Sequence, residues 1–221
     1  MLHKPKALIL DMDGVLVDSE RVEEKVWKEA GRQLGYQITH EFYLDLIGLG
    51  ARHAVEELKK NFGDDFPVEA FRDERLKRLE EITQNEGIPL KKGAQELFEY
   101  IENLDIPIAL ATSSGRKLVD DRLPGRSPLF DAIVTGDDVH RAKPNPEIYQ
   151  IAARNLQANP SECLVIEDSE PGVQSAHKAG MMIALIPDMK PPSEDIKKLA
   201  DQVLSNLSSL QKMLINWFDH K

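Results

Sequence analysis

The sequence predicts an α/β fold: a parallel sheet flanked by helices, with a helical segment inserted after the first strand. Three observations lead to this prediction. Short apolar runs recur along the chain without the alternation of a strand that has one wet face. Stripes of apolar residues at helical spacing fill the gaps between the later runs. The gap between the first two runs holds helical stripes only, and it is too long for one crossover connection.

Five apolar runs are predicted as buried strands because each is too short for a typical helix. They span residues 7–10, 106–111, 132–134, 164–166 and 182–186. The stripes between the later runs predict helices that cover residues 94–104, 148–156 and 173–179. Strands that alternate with helices form a Rossmann-like, three-layer core with right-handed crossovers. Further on, "PDMKPPSEDIKK" is interpreted as a proline-rich surface loop, followed by a last short strand and a closing helix.

The segment after the first strand breaks this rhythm. From about residue 20 to residue 88 it contains amphipathic helical stripes and no strand candidate. We therefore expect two domains: an α/β core domain of residues 1–16 and 89–221, and a helical cap domain of residues 17–88.

Composition and charge narrow the possible partners. The 221-residue chain has a formal net charge of −10 and a pI of about 5.1, which argues against a nucleic acid or an anionic membrane as partner. Its single cysteine, Cys163, excludes an intramolecular disulfide and fits a reducing cytoplasm. No run reaches the roughly 18 apolar residues of a membrane span, and we expect no signal peptide. We expect a cytoplasmic monomer.

Polar side chains that could carry chemistry follow four of the predicted strands. Ligands of open parallel sheets bind beyond the carboxyl ends of the strands, so these side chains should meet. They are Asp11 and Asp13, the segment "ATSSGRK" with Thr112 and Ser113, Lys143 in a later loop, and Glu167 with Asp168. Carboxylates crowded together repel one another unless a cation lies among them, and an all-oxygen ligand set without histidine or cysteine favours Mg²⁺ over zinc. A metal on one side, with a lysine, hydroxyls and amides on the other, describes a clamp for a phosphoryl group.

The two aspartates of "DMDG" can divide the chemistry between them. Residues at spacing two share a face of an extended chain, so Asp11 can attack phosphorus while Asp13 protonates the leaving oxygen and then deprotonates water. Gly14 permits a sharp turn directly after the strand. A calcium loop is the alternative, but an EF-hand loop needs glycine at its sixth position, whereas Gly14 is fourth from Asp11.

These motifs resemble those of the haloacid dehalogenase superfamily. "DMDGVLVDSE" resembles its first motif, "ATSSGRK" its second, "AKPNPEIY" its third and "EDSEPGVQSAHKAGM" its fourth, and together they span nearly the whole chain. The helical insert is similar to the cap found in β-phosphoglucomutases and many sugar-phosphate phosphatases. The resemblance implies that Asp11 is the nucleophile and a Mg²⁺ ligand, and that Asp13 is the general acid/base and gives its backbone carbonyl to the metal. It also implies that Thr112 and Ser113 hold the phosphoryl oxygens and that Lys143 steadies the nucleophile and the transferring phosphate.

The same resemblance implies roles at the fourth motif and in the cap. Asp168 would bind the metal directly, and Glu167 would help directly or through water. In the cap, "GLGARHAVEEL" resembles a substrate-specificity loop, which makes Arg52 a candidate contact to the substrate. The alternative for Arg52 is a solvent-exposed arginine at the start of a helix.

The leading functional hypothesis is a Mg²⁺-dependent phosphatase that hydrolyses a small phosphorylated metabolite, a sugar phosphate above all, through an aspartyl-phosphate. A phosphomutase of the β-phosphoglucomutase type uses the same core residues and remains the first alternative. A third reading, a non-catalytic module that binds Mg²⁺ or phosphate and regulates a partner, is disfavoured because four acids and a lysine are all retained. Dehalogenation is disfavoured by Asp13, since dehalogenases of this superfamily lack an acid at that position.

Overall fold

A computed structural model describes residues 3–49 and 51–219 of the chain. The chain divides into two compact units. A core unit contains the residues up to Asp18 and those from Pro89 onward, and a cap unit contains Ser19–Ile88. In the described part of the chain, no helix is both long enough and apolar enough to cross a membrane.

The cap unit is helical in its described residues. Its helices are α1 (Ser19–Gln33), α2 (His40–Leu46), α3 (Ala51–Phe62) and α4 (Val68–Asn85). Aromatic rings form its interior: Trp27 contacts Tyr43 and Phe71 edge to face, with ring centroids 5.9 and 5.2 Å apart. Helix α2 is absent from the sequence prediction. It does have a start signal: Thr39 is its N-cap, and the Thr39 side chain accepts a hydrogen bond from the Phe42 amide at 3.1 Å.

The core unit contains a six-stranded parallel sheet with strand order β3-β2-β1-β4-β5-β6. The strands are β1 (Ala7–Leu10), β2 (Ile108–Ala111), β3 (Ala132–Val134), β4 (Cys163–Glu167), β5 (Met182–Leu185) and β6 (Gln202–Val203). This arrangement confirms the predicted α/β class. Strand β2 begins two positions later than the sequence pattern suggests, after Pro107, whose ring nitrogen has no hydrogen to donate to a neighbouring strand.

Six helices accompany the sheet in the described residues of the core unit. They are α5 (Ala94–Ile101), α6 (Arg116–Arg122), α7 (Glu147–Asn155), α8 (Glu170–Lys178), α9 (Glu194–Leu199) and α10 (Leu207–Phe218). One side of the sheet packs on α7, α8 and α9 in a continuous apolar cluster. The alternate strand positions, such as Leu8, Leu110 and Ile166, are fully buried as well, as expected for a parallel sheet covered on both faces.

The interpretation of "PDMKPPSEDIKK" as a surface loop is wrong in its second half. Helix α9 begins directly after Ser193, and Ile196 on its inner side is buried in the apolar cluster against the sheet. Proline disrupts a helix interior but not the segment before a helix, and all three prolines of this stretch precede the start of α9. The short strand and closing helix predicted after it are present as β6 and α10.

Candidate active site

The strand order of the core unit places the polar residues of three segments at one edge of the sheet. Strand β1 lies in the middle of the sheet, and the chain proceeds from it first towards β3 and later towards β6. Such a reversal opens a crevice beyond the carboxyl ends of the strands that flank it, here β1, β2 and β4. Asp11 follows β1, Thr112 follows β2, and Glu167 ends β4, so all three reach this crevice.

Lys143 joins the first and last of these segments. Its Nζ lies 2.6 Å from Asp11 Oδ1 and 2.7 Å from Glu167 Oε1, and it donates to the Ala111 carbonyl at 3.3 Å. Burial alone would lower the pKa of Lys143, but the Asp11 and Glu167 carboxylates raise it well above its ordinary value. Lys143 is therefore a charged ammonium group placed directly on the Asp11 carboxylate.

Glu167 is completely buried, and donors occupy both of its carboxylate oxygens. Oε1 accepts from Lys143 and from the Tyr149 hydroxyl, and Oε2 accepts from the Asp168 and Ser169 amides and the Ser169 hydroxyl, five hydrogen bonds of 2.7–3.0 Å in all. Gly172 leaves the space for this carboxylate, because a Cβ at that position would lie 1.7 Å from Glu167 Oε1. Glu167 thus fixes Lys143 and the start of the segment that carries Asp168.

Asp11, Glu167 and Asp168 form a cluster of carboxylates. Each offers an oxygen, and these oxygens lie within 4.8 Å of one another. Burial raises the pKa of Asp11 to about 8; Lys143 opposes the rise, while Glu167 and Asp13 add to it. A further cation in the cluster would favour the ionised form of Asp11, and an all-oxygen donor set fits a hard divalent ion.

Gly14 explains how Asp168 comes close to the backbone that follows β1. Gly14 has a positive φ of 77°, and a Cβ there would lie 2.0 Å from Asp168 Oδ2. Glycine is thus needed at this position both for the turn and for the approach of the Asp168 carboxylate.

The segment after β2 contacts Asp13. The Ser114 hydroxyl donates to Asp13 Oδ2 at 2.7 Å, the Thr112 hydroxyl lies 3.5 Å from the same oxygen, and the Ser114 amide donates to Thr112 Oγ1 at 3.1 Å. Ser113 is exposed. The structure therefore brings Thr112 to the other predicted residues, and it adds Ser114 as a contact of Asp13.

Two further residues of this site are absent from the set of candidates proposed from sequence. Arg122, at the end of α6, is buried and forms an ion pair with Asp13 Oδ1. Tyr149 on α7 is fully buried, with Lys143 4.9 Å above its ring and its hydroxyl 2.7 Å from Glu167. A sequence signal exists for Arg122, since it lies three residues after Val119 and immediately before Leu123, where a helix should present apolar side chains.

Arg52 belongs to the cap unit, on α3. Its side chain is 89% exposed, and its Nε donates to Glu56 Oε1 at 3.2 Å, one helical turn away. Gly50, in the same predicted specificity loop, lies outside the described residues. The role of Arg52 in substrate binding stays a prediction.

A comparison with known proteins gives the class of this site. Residues 5–180 match the family model described as haloacid dehalogenase-like hydrolase, so the chain belongs to that family. The resemblance of the four motifs is thereby confirmed, and with it the expected enzyme class, a phosphomonoester hydrolase.

Individual relatives agree with this assignment. A "Phosphorylated carbohydrates phosphatase" of Thermotoga maritima is 30% identical over 178 residues, which cover 80% of this chain and 82% of that protein. Protein CbbY of Rhodobacter capsulatus is 29% identical over 92% of this chain and 94% of its own length. The crystal structure of a haloacid dehalogenase family hydrolase from Deinococcus radiodurans, with bound phosphate and sodium, superposes with a TM-score of 0.84 at 26% identity, covering 97% of this chain and 96% of that one.

Proposed function

We propose that this enzyme is a Mg²⁺-dependent phosphatase that hydrolyses a small phosphorylated metabolite, a sugar phosphate in the first instance, through an aspartyl-phosphate on Asp11. The observation that carries the proposal is the buried Asp11 carboxylate, paired with Lys143 on one oxygen and adjacent to the Asp168 carboxylate. The substrate class is supported by the Thermotoga maritima relative, whose name specifies phosphorylated carbohydrates.

The residues present fit a divalent cation. Asp11 and Asp168 would hold Mg²⁺ by their side chains and Asp13 by its backbone carbonyl, and the ion would neutralise charge on the phosphoryl oxygens. Both Glu167 oxygens already accept hydrogen bonds from protein donors, so we assign Glu167 to the support of Lys143 and Asp168, at most with a water between it and the metal.

The chain's own residues then account for two chemical steps. Asp11 attacks phosphorus as the bond to the leaving oxygen breaks, and the Asp13 carboxyl gives its proton to that oxygen. Water next attacks the phosphorus of the aspartyl-phosphate, Asp13 takes the proton of the water, and the Asp11 carboxylate leaves. Lys143 neutralises charge on Asp11 and the phosphoryl group in both steps, and the hydroxyls and amides of the segment after β2 would hold the phosphoryl oxygens.

Trapping of the covalent intermediate tests the proposal. A phosphorylated sugar and Mg²⁺ are added, the reaction is quenched with borohydride, and peptides are examined by mass spectrometry for reduction at residue 11, which only an acyl phosphate undergoes. We expect the mass change at Asp11 in the wild type and neither the mass change nor phosphate release in Asp11→Asn. Asp120→Asn, the same substitution at an exposed residue of α6, should behave as the wild type. Phosphate release without modification at residue 11 would overturn the covalent mechanism.

The phosphomutase alternative requires a different product. Glucose 1-phosphate with a trace of the 1,6-bisphosphate is converted by a mutase to glucose 6-phosphate, whereas a phosphatase releases glucose and inorganic phosphate. We expect inorganic phosphate, and accumulation of glucose 6-phosphate would replace the phosphatase proposal with the mutase.

A further inference from the structure

Arg122 is a buried cation that the chemistry above does not use. It lies at the end of α6, and its side chain is 8% exposed. A buried guanidinium is costly without a counter-charge, and here Nη1 pairs with Oδ1 of Asp13. Helix α6 needs only an apolar side chain at this position to cover the core, as Val119 does one turn earlier. Packing alone therefore does not account for an arginine at this position, and its ion pair with Asp13 suggests the reason for it.

Asp13 is held from two sides. The Ser114 hydroxyl donates to Oδ2 at 2.7 Å, with the Thr112 hydroxyl 3.5 Å away, and the Arg122 guanidinium contacts Oδ1. The terminal torsion of an aspartate is soft, so a contact to one oxygen leaves the plane of the carboxyl group free to rotate. Donors on both oxygens, each from the segment that follows β2, fix that plane.

We propose that Arg122 is a positioning residue that sets the orientation of the Asp13 carboxyl for proton transfer to the leaving oxygen and from water. The inference rests on the proposed function. Arg122 touches neither substrate nor metal in this role: the P–O bond breaks at the substrate, and the proton moves between Asp13 and oxygen. A planar guanidinium with several N–H groups restrains a carboxylate more strictly than the single ammonium group of lysine does.

The leaving group separates this role from a merely structural one. A sugar or alkyl phosphate needs its leaving oxygen protonated, whereas 4-nitrophenolate leaves without that help. With enzyme in excess, a single turnover reports formation of the phosphoenzyme alone. We expect Arg122→Met to slow alcohol release from the sugar phosphate by about 100-fold, the lower end for general acid catalysis, and nitrophenolate release by less than about fivefold. KM and the Mg²⁺ requirement should not change.

Two further variants complete the experiment. Arg122→Lys should recover part of the lost rate, and the double variant Asp13→Asn/Arg122→Met should be no slower than Asp13→Asn alone. Arg126→Met, the matched control, removes an arginine that lies over the Phe98 ring outside the site, and it should retain the wild-type rates. Arg122→Gln replaces Arg122→Met if circular dichroism shows that the latter is unfolded.

The outcomes distinguish this inference from the function on which it rests. The positioning role would be overturned if Arg122→Met lost rate equally with both leaving groups, or if the double variant were much slower than Asp13→Asn. In either case, turnover by the wild type would still support the proposed phosphatase function. A wild type that turns over neither substrate with Mg²⁺ would overturn the proposed function and, with it, the role of Arg122.

Discussion

Replacement of Glu167 by glutamine should destabilise the core unit severely, although the two side chains have the same shape. The carboxylate accepts two hydrogen bonds on Oε1 and three on Oε2. An amide has one acceptor oxygen and one donor NH₂ group. In one orientation the NH₂ group faces the Lys143 ammonium, and in the other it faces the amides of Asp168 and Ser169, so donor meets donor in both.

The size of the effect follows from these contacts. Removal of one partner from a buried ion pair costs about 3–5 kcal/mol. Lys143 keeps Asp11 at 2.6 Å, which favours the lower end of that range. Buried donors without an acceptor add about 1–3 kcal/mol. We therefore expect a loss of about 4 kcal/mol, a large share of the 5–15 kcal/mol that is typical of a folded domain.

Urea denaturation followed by tryptophan fluorescence measures this loss. The chain has two tryptophans, and in a Trp27→Phe background the signal comes from Trp217 of α10, in the same unit as Glu167. Glu194→Gln makes the same charge change in an exposed pair with Lys197 and should cost less than about 0.5 kcal/mol. A loss below about 1 kcal/mol for Glu167→Gln would refute the donor arrangement described here.

Two further predictions concern Asp138 and Arg52. The Thr135 hydroxyl and amide both donate hydrogen bonds to Asp138, and these lower the pKa of Asp138. The ionised form of Asp138 therefore stabilises the fold at any pH above the ordinary aspartate pKa of about 3.9. This contribution disappears as the pH falls through the lowered pKa. Because Asp138 is exposed and solvent screens its charge, Asp138→Asn should cost no more than about 0.5 kcal/mol at pH 7 and nothing near pH 2. A difference in unfolding free energy that persists in acid would contradict this account. Arg52→Ala should leave the unfolding midpoint unchanged, because the ion pair of Arg52 with Glu56 is exposed. The same variant should raise the KM for the preferred sugar phosphate, with the KM for 4-nitrophenyl phosphate as the reference. An unchanged KM across a panel of phosphorylated sugars would show that Arg52 does not take part in substrate recognition.

Some features of the site were predictable because they follow from short stretches of chain. Apolar runs without alternation indicate strands buried on both faces, and parallel strands place their carboxyl ends at one edge of the sheet. Asp11, Lys143 and Asp168 were therefore identifiable as candidates before any distance was known, and the structure brings them together. The secondary structure of "PDMKPPSEDIKK" was less predictable. Local proline content indicates a loop, whereas burial of Ile196 against the sheet favours formation of α9.

The sequence by itself determined the α/β class, the order of the strands along the chain and the chemical types gathered at their ends. Those properties depend on hydrophobic periodicity and on the identity of the residue that follows each strand. Only the tertiary structure decided which partner each charged group takes: that Arg122 reaches Asp13, and that Tyr149 and Lys143 share one Glu167 oxygen. These pairings join residues far apart in the chain, and side chains of one type compete for them equally until packing fixes the distances.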